Sequence, residues 1–386
     1  MAWRESSVLE QRIEFVVAAH RDERRFTDLC REFNISRETG YVWLRRYQAG
    51  GVSQVVERSR RPKNSPRRTS NEIEQAIVAL RQRWPDWGAP KLHELLAQQN
   101  PQWVLSPRTV HRILERHGLI QTRDSHPQAV KRFERESPNE LWQMDFKGLS
   151  AIQPGDAVGP LSILDDHSRY LLALRRLGST RLSGVRDTLQ QTFEQAGLPE
   201  AILVDHGVPW WNTQSPWGWT ELGVWIMRQG VRMRFSGIRH PQTQGKVERM
   251  HGALQRAVQK RRGDLCDQSW LDAFRQEYNL VRPHQALAMS TPASRWRPSP
   301  RPFQPAPREW NYPQHMQVLR LAGEGQLGWQ GRRWEISCAL RHQLVGLEVI
   351  GARAIVYFCR TPLRELDLER HSSFPIPSNV RRSLHC

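Results

Sequence analysis

The sequence predicts a multidomain chain, α at its start, mixed α/β through its middle and all-β near its end. Three observations carry that expectation. Before residue 120, apolar residues recur at helical spacing in two sets of short segments. From 139 to 296, three strand-like runs precede helix, strand, helix, strand and helix, the rhythm of a mixed sheet flanked by helices. From 316 to 358, short apolar stretches alternate in the manner of a small barrel or sandwich. The 386 residues, 38% hydrophobic and 25% charged, give length enough for several separately cored domains.

Lys and Arg outnumber Asp and Glu by 57 to 39, a formal charge of +18, so the surface field draws in a polyanion. Nucleic acid is the leading partner class. A membrane is not expected, because no apolar stretch approaches the roughly 18 residues of a spanning helix. The opening MAWRESSVLEQRIEF lacks the apolar core of a signal peptide, and the protein is expected in the cytoplasm, associated with DNA. Five scattered cysteines (Cys30, Cys266, Cys338, Cys359 and Cys386) form no C-x-x-C pair and read as reduced structural thiols. His111 and His117 likewise lack a cysteine pair and do not read as a zinc finger.

Residues 1–57 are expected to form a helical unit of three short helices, the third starting after a Ser36 cap and stopping at Gly50-Gly51. The turn at Asn34–Ser36 joins the last two as a helix-turn-helix does. In such a unit Arg37, Glu38, Tyr41 and Arg45 lie early on the reading helix, where they reach base edges; a plain three-helix unit with solvated charges has the same spacing. Residues 58–70 form a basic linker, with six basic residues and two prolines in RSRRPKNSPRR, suited to phosphates or simply to a solvated tether. A second helical unit is expected at 71–120, its last helix capped by Ser106 with Pro107 at the first position. There Arg108, Arg112 and Arg116 make a basic stripe beside Val110, Ile113 and Leu114, fit for DNA or for solvent. Residues 121–138 are a polar, basic linker.

In the region 139–296, NELWQMDFKGLS reads as a strand and GPLSILDDHSRYLLALRRL as two strands meeting at a turn around Asp165–Ser168. Helix RLSGVRDTLQQTFEQAG, strand AILVDHG, a helix around WTELGVWIMRQG, strand VRMRF and a long helix from about Thr243 to Arg262 follow, then a helix ending near Leu280. The proline-rich stretch 297–315 is a linker, 316–370 a small β domain and 371–386 a disordered tail.

The candidate chemistry sits in the middle region. Asp145 lies on the first strand, Asp205 ends the apolar AILVD, and Glu248 projects from a helix whose packed stripe is Val247, Met250, Leu254 and Val258. They converge if the two strands are neighbours and the helix crosses their ends. Three carboxylates at one point need cations between them, and oxygen donors suit magnesium or manganese; strand-end acids also form salt bridges. Two such ions would suit in-line phosphoryl transfer. Residues 231–262 hold nine basic residues and one acid, Glu248 itself, and Arg249, Arg256 and Lys260 form a stripe able to follow a phosphate backbone. Asp165 and Asp166 sit at a strand turn, where hydrogen bonding by Asx side chains is the leading reading.

The segments LWQMDF, ILDDHSRY, ILVDHG, HPQTQGKVERMHGAL and YNLVRPHQAL closely resemble the DDE-class insertion-sequence transposases, which share the retroviral-integrase catalytic core. The resemblance runs through most of the chain and is strongest from about 139 to 296. It implies a ribonuclease-H-like core and Asp145, Asp205 and Glu248 as catalytic ligands of Mg2+ or Mn2+, two ions in number. It further implies cleavage of double-stranded DNA at element ends, strand transfer into target DNA, and a bacterial homo-oligomer working on DNA. Lys246 and Arg249 would hold DNA beside the metals, and His240 and His206 would support the site. Where the family usually has Asp-Asn-Gly, this chain has Asp205-His206-Gly207. That departure leaves open a catalytically weakened, transposase-derived DNA-binding regulator. Four tryptophans in PWWNTQSPWGW, 209 to 219, suit loop packing before base stacking. Asn279, Arg282, Pro283 and His284 are expected to be structural, with Arg282 open to a DNA contact.

Overall fold

The computed structural model describes residues 7–57, 68–120, 134–147, 159–178, 182–212, 218–236, 245–307 and 309–376. Two compact units emerge, Met1–Thr69 and Ser70–Cys386.

In the first unit, α1 (Val8–Arg21), α2 (Phe26–Glu32) and α3 (Arg37–Gly50) enclose a small core of Phe15, Val16, Leu29, Cys30 and Val55. Each boundary has a local cause. Ser7 makes a reciprocal capping box with Glu10, and the Ser36 hydroxyl accepts the Thr39 amide at 3.1 Å, satisfying donors that the first turn leaves open. Asn34, at φ 52°, turns the chain between α2 and α3. Gly40 lets the helices close, since a Cβ there would stand 2.9 Å from both the Cys30 sulfur and the Phe15 ring.

The second unit opens with α4 (Asn71–Arg83), α5 (Ala89–Gln99) and α6 (Pro107–Arg116), packed through Ile77, Leu92, Leu96, Val110, Ile113 and Leu114. A five-stranded sheet follows. It comprises β1 (Trp142–Phe146), β2 (Leu161–Asp165), β3 (Leu171–Arg175), β4 (Ala201–Val204) and, later in the chain, β7 (Arg232–Phe235). Two short strands, β5 (Trp211–Asn212) and β6 (Gly218–Trp219), pair with each other between β4 and β7. Helices α7 (Leu182–Ala196), α8 (Glu221–Arg228), α9 (Gly245–Arg261) and α10 (Gln268–Leu280) complete the region.

The sheet order is β3-β2-β1-β4-β7, antiparallel through the β1-β2-β3 meander and parallel from β1 to β4 to β7. Strand alternation divides β1 between two cores. Trp142 and Met144 face a large cluster that includes Val185, Leu189 and Phe193 of α7 and Ile226 and Met227 of α8. On the other face of the sheet Leu164, Leu171 and Leu174 pack against α9 and α10 through Val247, Met250, Leu254 and Phe274. Gln143 and Asp145 point toward that helical face.

The edge strand β3 is closed by a side chain. Asn279 accepts the Leu171 amide at 2.8 Å and donates to the Leu171 carbonyl at 3.0 Å, as a neighbouring strand would. Its motif position is thereby structural. Asn279→Ala is expected to leave both backbone groups buried and unpaired and to cost about 2–4 kcal/mol, read as a lower urea midpoint with unchanged slope.

Beyond α10 the described residues of the proline-rich stretch 297–315 form no helix or strand of their own, and the stretch is fastened to the sheet region. Leu198 donates its amide to Arg301 O at 2.8 Å, and the Arg301 guanidinium reaches Pro199 O, Glu200 and Gly230 O. The last strands are β8 (Gln317–Arg320), β9 (Gln326–Trp329), β10 (Arg332–Glu335), β11 (Leu344–Ile350), β12 (Arg353–Phe358), β13 (Thr361–Asp367) and β14 (Ser372–Pro375). They form a five-stranded antiparallel sheet, β14-β13-β12-β11-β8, and a β9-β10 hairpin. One expectation is corrected here. The tail does not become irregular at 371, because Ser372–Pro375 pairs with Arg364–Asp367, and Arg364 donates to both the hydroxyl and the carbonyl of Ser373 at 2.8 Å.

Candidate active site

The register of β1 on β4 places the first two carboxylates. Trp142 stands opposite Ile202 and Gln143 opposite Leu203, so the same one-for-one register brings Asp145 level with Asp205. Asp205 follows β4 directly, at the carboxyl end of a parallel strand. The third comes from α9, whose Val247, Met250, Leu254 and Val258 are buried on the sheet while Glu248 is left exposed.

Asp145 registers its neighbours electrostatically. Burial, then the charge of Asp205 and, to a lesser degree, of Glu248, push its carboxyl up to about 6. Among the described residues no three His, Cys, Asp or Glu side chains are close enough to enclose an ion as they stand. Asp145 is thus in Coulombic reach of both Asp205 and Glu248 without the three enclosing an ion. Mutual repulsion of this kind is what a hard divalent cation relieves, and an all-carboxylate donor set fits magnesium or manganese.

The Asp205-His206-Gly207 turn divides three tasks. Gly207 donates its amide to Asp205 Oδ1 at 3.1 Å, and a Cβ at Gly207 would meet the Asp205 carboxylate at 3.0 Å. His206 was expected to supply hydrogen-bonding support; its described contacts are instead aromatic, edge-on to Trp211 at 5.4 Å and tilted over Phe235 at 5.0 Å. Trp211 and Trp219 close the same cluster, which accounts for two of the four tryptophans as packing.

Lys246 corrects a second expectation. Rather than facing DNA, its ammonium lies 2.5 Å from Asp166 Oδ2, and its side chain is only 12% exposed. Burial lowers Lys246 to about 8 against the opposing pull of Asp166. The acid pair at the β2–β3 turn also splits. Asp165 is a turn acceptor, bonded by the Ser168 amide and hydroxyl and by the Asn139 amide. Asp166 is fully buried and receives Lys246, the Gln143 amide group and the Arg135 amide.

The remaining basic positions fall into two groups. Arg37, Tyr41 and Arg45 lie exposed along one side of α3, Arg108 and Arg112 are exposed on α6, and Arg249 and Lys260 are exposed on α9. Arg256 is half-buried, within the field of Lys91 of α5. Arg116 leaves the α6 stripe, since it pairs with the buried Glu74 at 2.6 Å. Arg282 also turns inward, bonding Asp86 at 3.2 Å with its side chain 5% exposed. His240, the basic run 58–67 and Trp217 lie outside the described residues.

Sequence reasoning passed over Gln143, Ser162 and His251. The His251 ring bonds the Ser162 hydroxyl at 2.9 Å and turns its other nitrogen toward Asp145 at 3.8 Å. Burial, then Lys147, drives His251 down to about 3, so the ring is neutral. The available signal was a histidine on the apolar stripe of α9 and a glutamine two residues before Asp145 on the same strand face.

Residues 135–241 and 229–292 each match an integrase core domain family, 11–63 a helix-turn-helix domain and 39–114 a homeodomain-like domain. The chain is therefore an integrase-core protein with helix-turn-helix DNA-binding domains. These matches make it similar to insertion-sequence transposases that carry such a core. A relative among curated proteins is the uncharacterized 31.7 kDa protein of insertion element IS407 from Burkholderia multivorans, 25% identical over 242 residues, spanning 58% of this chain and 80% of the relative. Among solved structures, the HTLV-2 integrase catalytic core domain in complex with magnesium is 14% identical. It covers 42% of this chain and 97% of its own at a TM-score of 0.32. The simian T-cell lymphotropic virus intasome with PP2A regulatory subunit B56 gamma is 13% identical, covering 78% and 95% at 0.38. Among the described residues no helix is long and apolar enough to cross a membrane.

Proposed function

We propose that this protein cuts DNA at the ends of a mobile element and joins the freed ends to target DNA, using Asp145, Asp205 and Glu248 as ligands of two divalent cations. The observation that carries the reading is the convergence of the three carboxylates, felt at Asp145 as a carboxyl raised to about 6. Bound at that point, magnesium or manganese would supply activation of the attacking oxygen and stabilisation of the leaving one. In the first step a water oxygen bonds to phosphorus at the element's end, the bond from phosphorus to the 3′ oxygen breaks, and that oxygen leaves as a hydroxyl. In the second, the hydroxyl oxygen bonds to a target phosphorus and a target 3′ oxygen departs.

The chain's own residues hold DNA for both steps. Arg37, Tyr41 and Arg45 of α3 and Arg108 and Arg112 of α6 read or grip the element end, while Arg249, Arg256 and Lys260 guide the backbone past the carboxylates. Each phosphate contact adds about −0.9 to the slope of log affinity on log salt for duplex DNA. Arg108→Ala is accordingly expected to flatten that slope by about 0.9, measured by fluorescence anisotropy across a salt series. We further propose a homo-oligomer working on DNA in a bacterial cytoplasm.

The decisive experiment incubates purified protein with magnesium and duplex made from the DNA flanking the gene on each side, where inverted repeats are expected. Nicked ends and joined products are expected, and EDTA removes both. Tight binding with no nicking would replace this reading with a DNA-binding regulator. Nicking without joined product would reduce it to a nuclease.

A further inference from the structure

We infer that Gln143, Asp166 and Lys246 form a positioning clamp that fixes the first turn of α9 and thereby sets Glu248 against Asp145. The inference rests on the proposed metal-dependent reading and adds to it residues that touch no reacting atom.

A helix start leaves its first amides without partners, and an end packed against a sheet must find acceptors for them. Here Gln143 Oε1 accepts the Val247 amide at 3.3 Å. The same glutamine donates from Nε2 to Asp166 Oδ1 at 2.7 Å. The other Asp166 oxygen takes Lys246 Nζ at 2.5 Å, and the Asp166 carbonyl takes it at 3.1 Å. Gln143 lies two residues before Asp145, on the same face of β1, and Lys246 and Val247 immediately precede Glu248. One short chain of bonds therefore connects the strand bearing one carboxylate to the helical turn bearing another.

Energetics favour a positional role. Gln143 and Asp166 are fully buried, and a buried ion pair adds little net stability over an apolar replacement. What such a network contributes is a single geometry. Metal affinity depends steeply on how outer groups orient the ligands, with losses of about 10–100-fold when they are removed.

The test compares the full-length wild type with the double variant Asp166→Asn/Lys246→Met, which removes both buried charges together and keeps an acceptor for Gln143. Mn2+ binding is measured by electron paramagnetic resonance of the free ion, alongside DNA affinity over a salt series and circular dichroism. A folded double variant is expected to bind Mn2+ about 10–100-fold more weakly, with DNA affinity and salt slope unchanged. The single variant Gln143→Leu, which leaves the ion pair in place, is expected to weaken Mn2+ binding in the same direction and serves if the double variant does not fold. Unchanged Mn2+ binding in the folded variant overturns the clamp. A salt slope flatter by about 0.9 with Mn2+ binding intact makes Lys246 a phosphate contact instead. Wild type that neither binds Mn2+ nor cuts DNA overturns the catalytic reading as well, whereas an active wild type matched by the variant overturns the clamp alone.

Discussion

Asp145→Asn is expected to abolish strand cleavage and joining, by at least ~10³-fold, while making the metal-free protein more stable. The first effect follows from losing a ligand charge where several kcal/mol of transition-state stabilisation would be supplied. The second follows from the fold alone. Burial and the neighbouring charges raise Asp145 from 3.8 to about 6, so the folded chain binds this proton more tightly than the unfolded chain. Stability contributed by the protonated group is present below 3.8, declines as pH rises and is fully lost above about 6. A shift of roughly two units is worth at most about 3 kcal/mol, and the 25% exposure of the side chain reduces it toward ~1–2 kcal/mol. Urea unfolding in EDTA should show the variant more stable at pH 7 and the two curves meeting near pH 3.5. Magnesium should narrow the gap by binding folded wild type. A variant less stable than wild type at pH 7 would mean the three carboxylates do not converge; a fully active variant would remove Asp145 from the chemistry.

The features of the candidate site that sequence makes legible are local ones. An acid closing an apolar strand, an acid off the packed stripe of a long helix and a helix cap such as Ser36 or Ser106 each depend on neighbours within a few residues. What could not be read depends on partners distant in sequence. The DNA contact expected of Lys246 comes from the family resemblance, and nothing near it in sequence points to its partner Asp166, eighty residues away. Arg116 likewise lies in basic surroundings, yet Glu74, distant in sequence, pairs with it; Arg282 is expected to be structural, but its partner Asp86 is not readable from its neighbours. The part played by His206 is open from sequence because imidazole both hydrogen-bonds and packs, and its contacts with Trp211 and Phe235 come from residues that sequence alone does not place beside it. Ser372–Pro375 read as tail because four residues with two serines carry almost no strand signal without β13 beside them.

Asp86→Ala is expected to be the most damaging single change outside the carboxylates, costing about 3–5 kcal/mol, because it removes the acceptor shared by the buried Arg282 and the half-buried Arg261. Asp86 lies between α4 and α5 with its side chain fully buried. Its Oδ1 accepts Arg261 Nε at 2.7 Å, and its Oδ2 accepts Arg282 at 3.2 Å. Arg261 is the last residue of α9 and also grips Glu277 of α10 through two bonds of 2.7 and 2.9 Å. The guanidinium of Arg282 further lies 5.7 Å over the ring of Trp87. This cluster therefore ties the α4–α6 helices to the far end of the helix whose first turn carries Glu248. Asp86→Ala leaves Arg261 its bonds to Glu277 but strips Arg282 of its acid, and the unpaired charge is what makes the loss large. Asp86→Asn, which keeps two acceptors or donors in the same shape, should cost about half as much. Urea unfolding of both variants, with Arg282→Met and the double variant closing a cycle, measures the coupling directly. If Asp86→Ala shifts stability by under ~1 kcal/mol, the cluster is solvated and α9 is held by its apolar stripe alone. If the cost is as expected, the α4–α6 helices are firmly tied to α9, and under the proposed function a DNA end held at Arg108 and Arg112 would keep a fixed bearing to the three carboxylates.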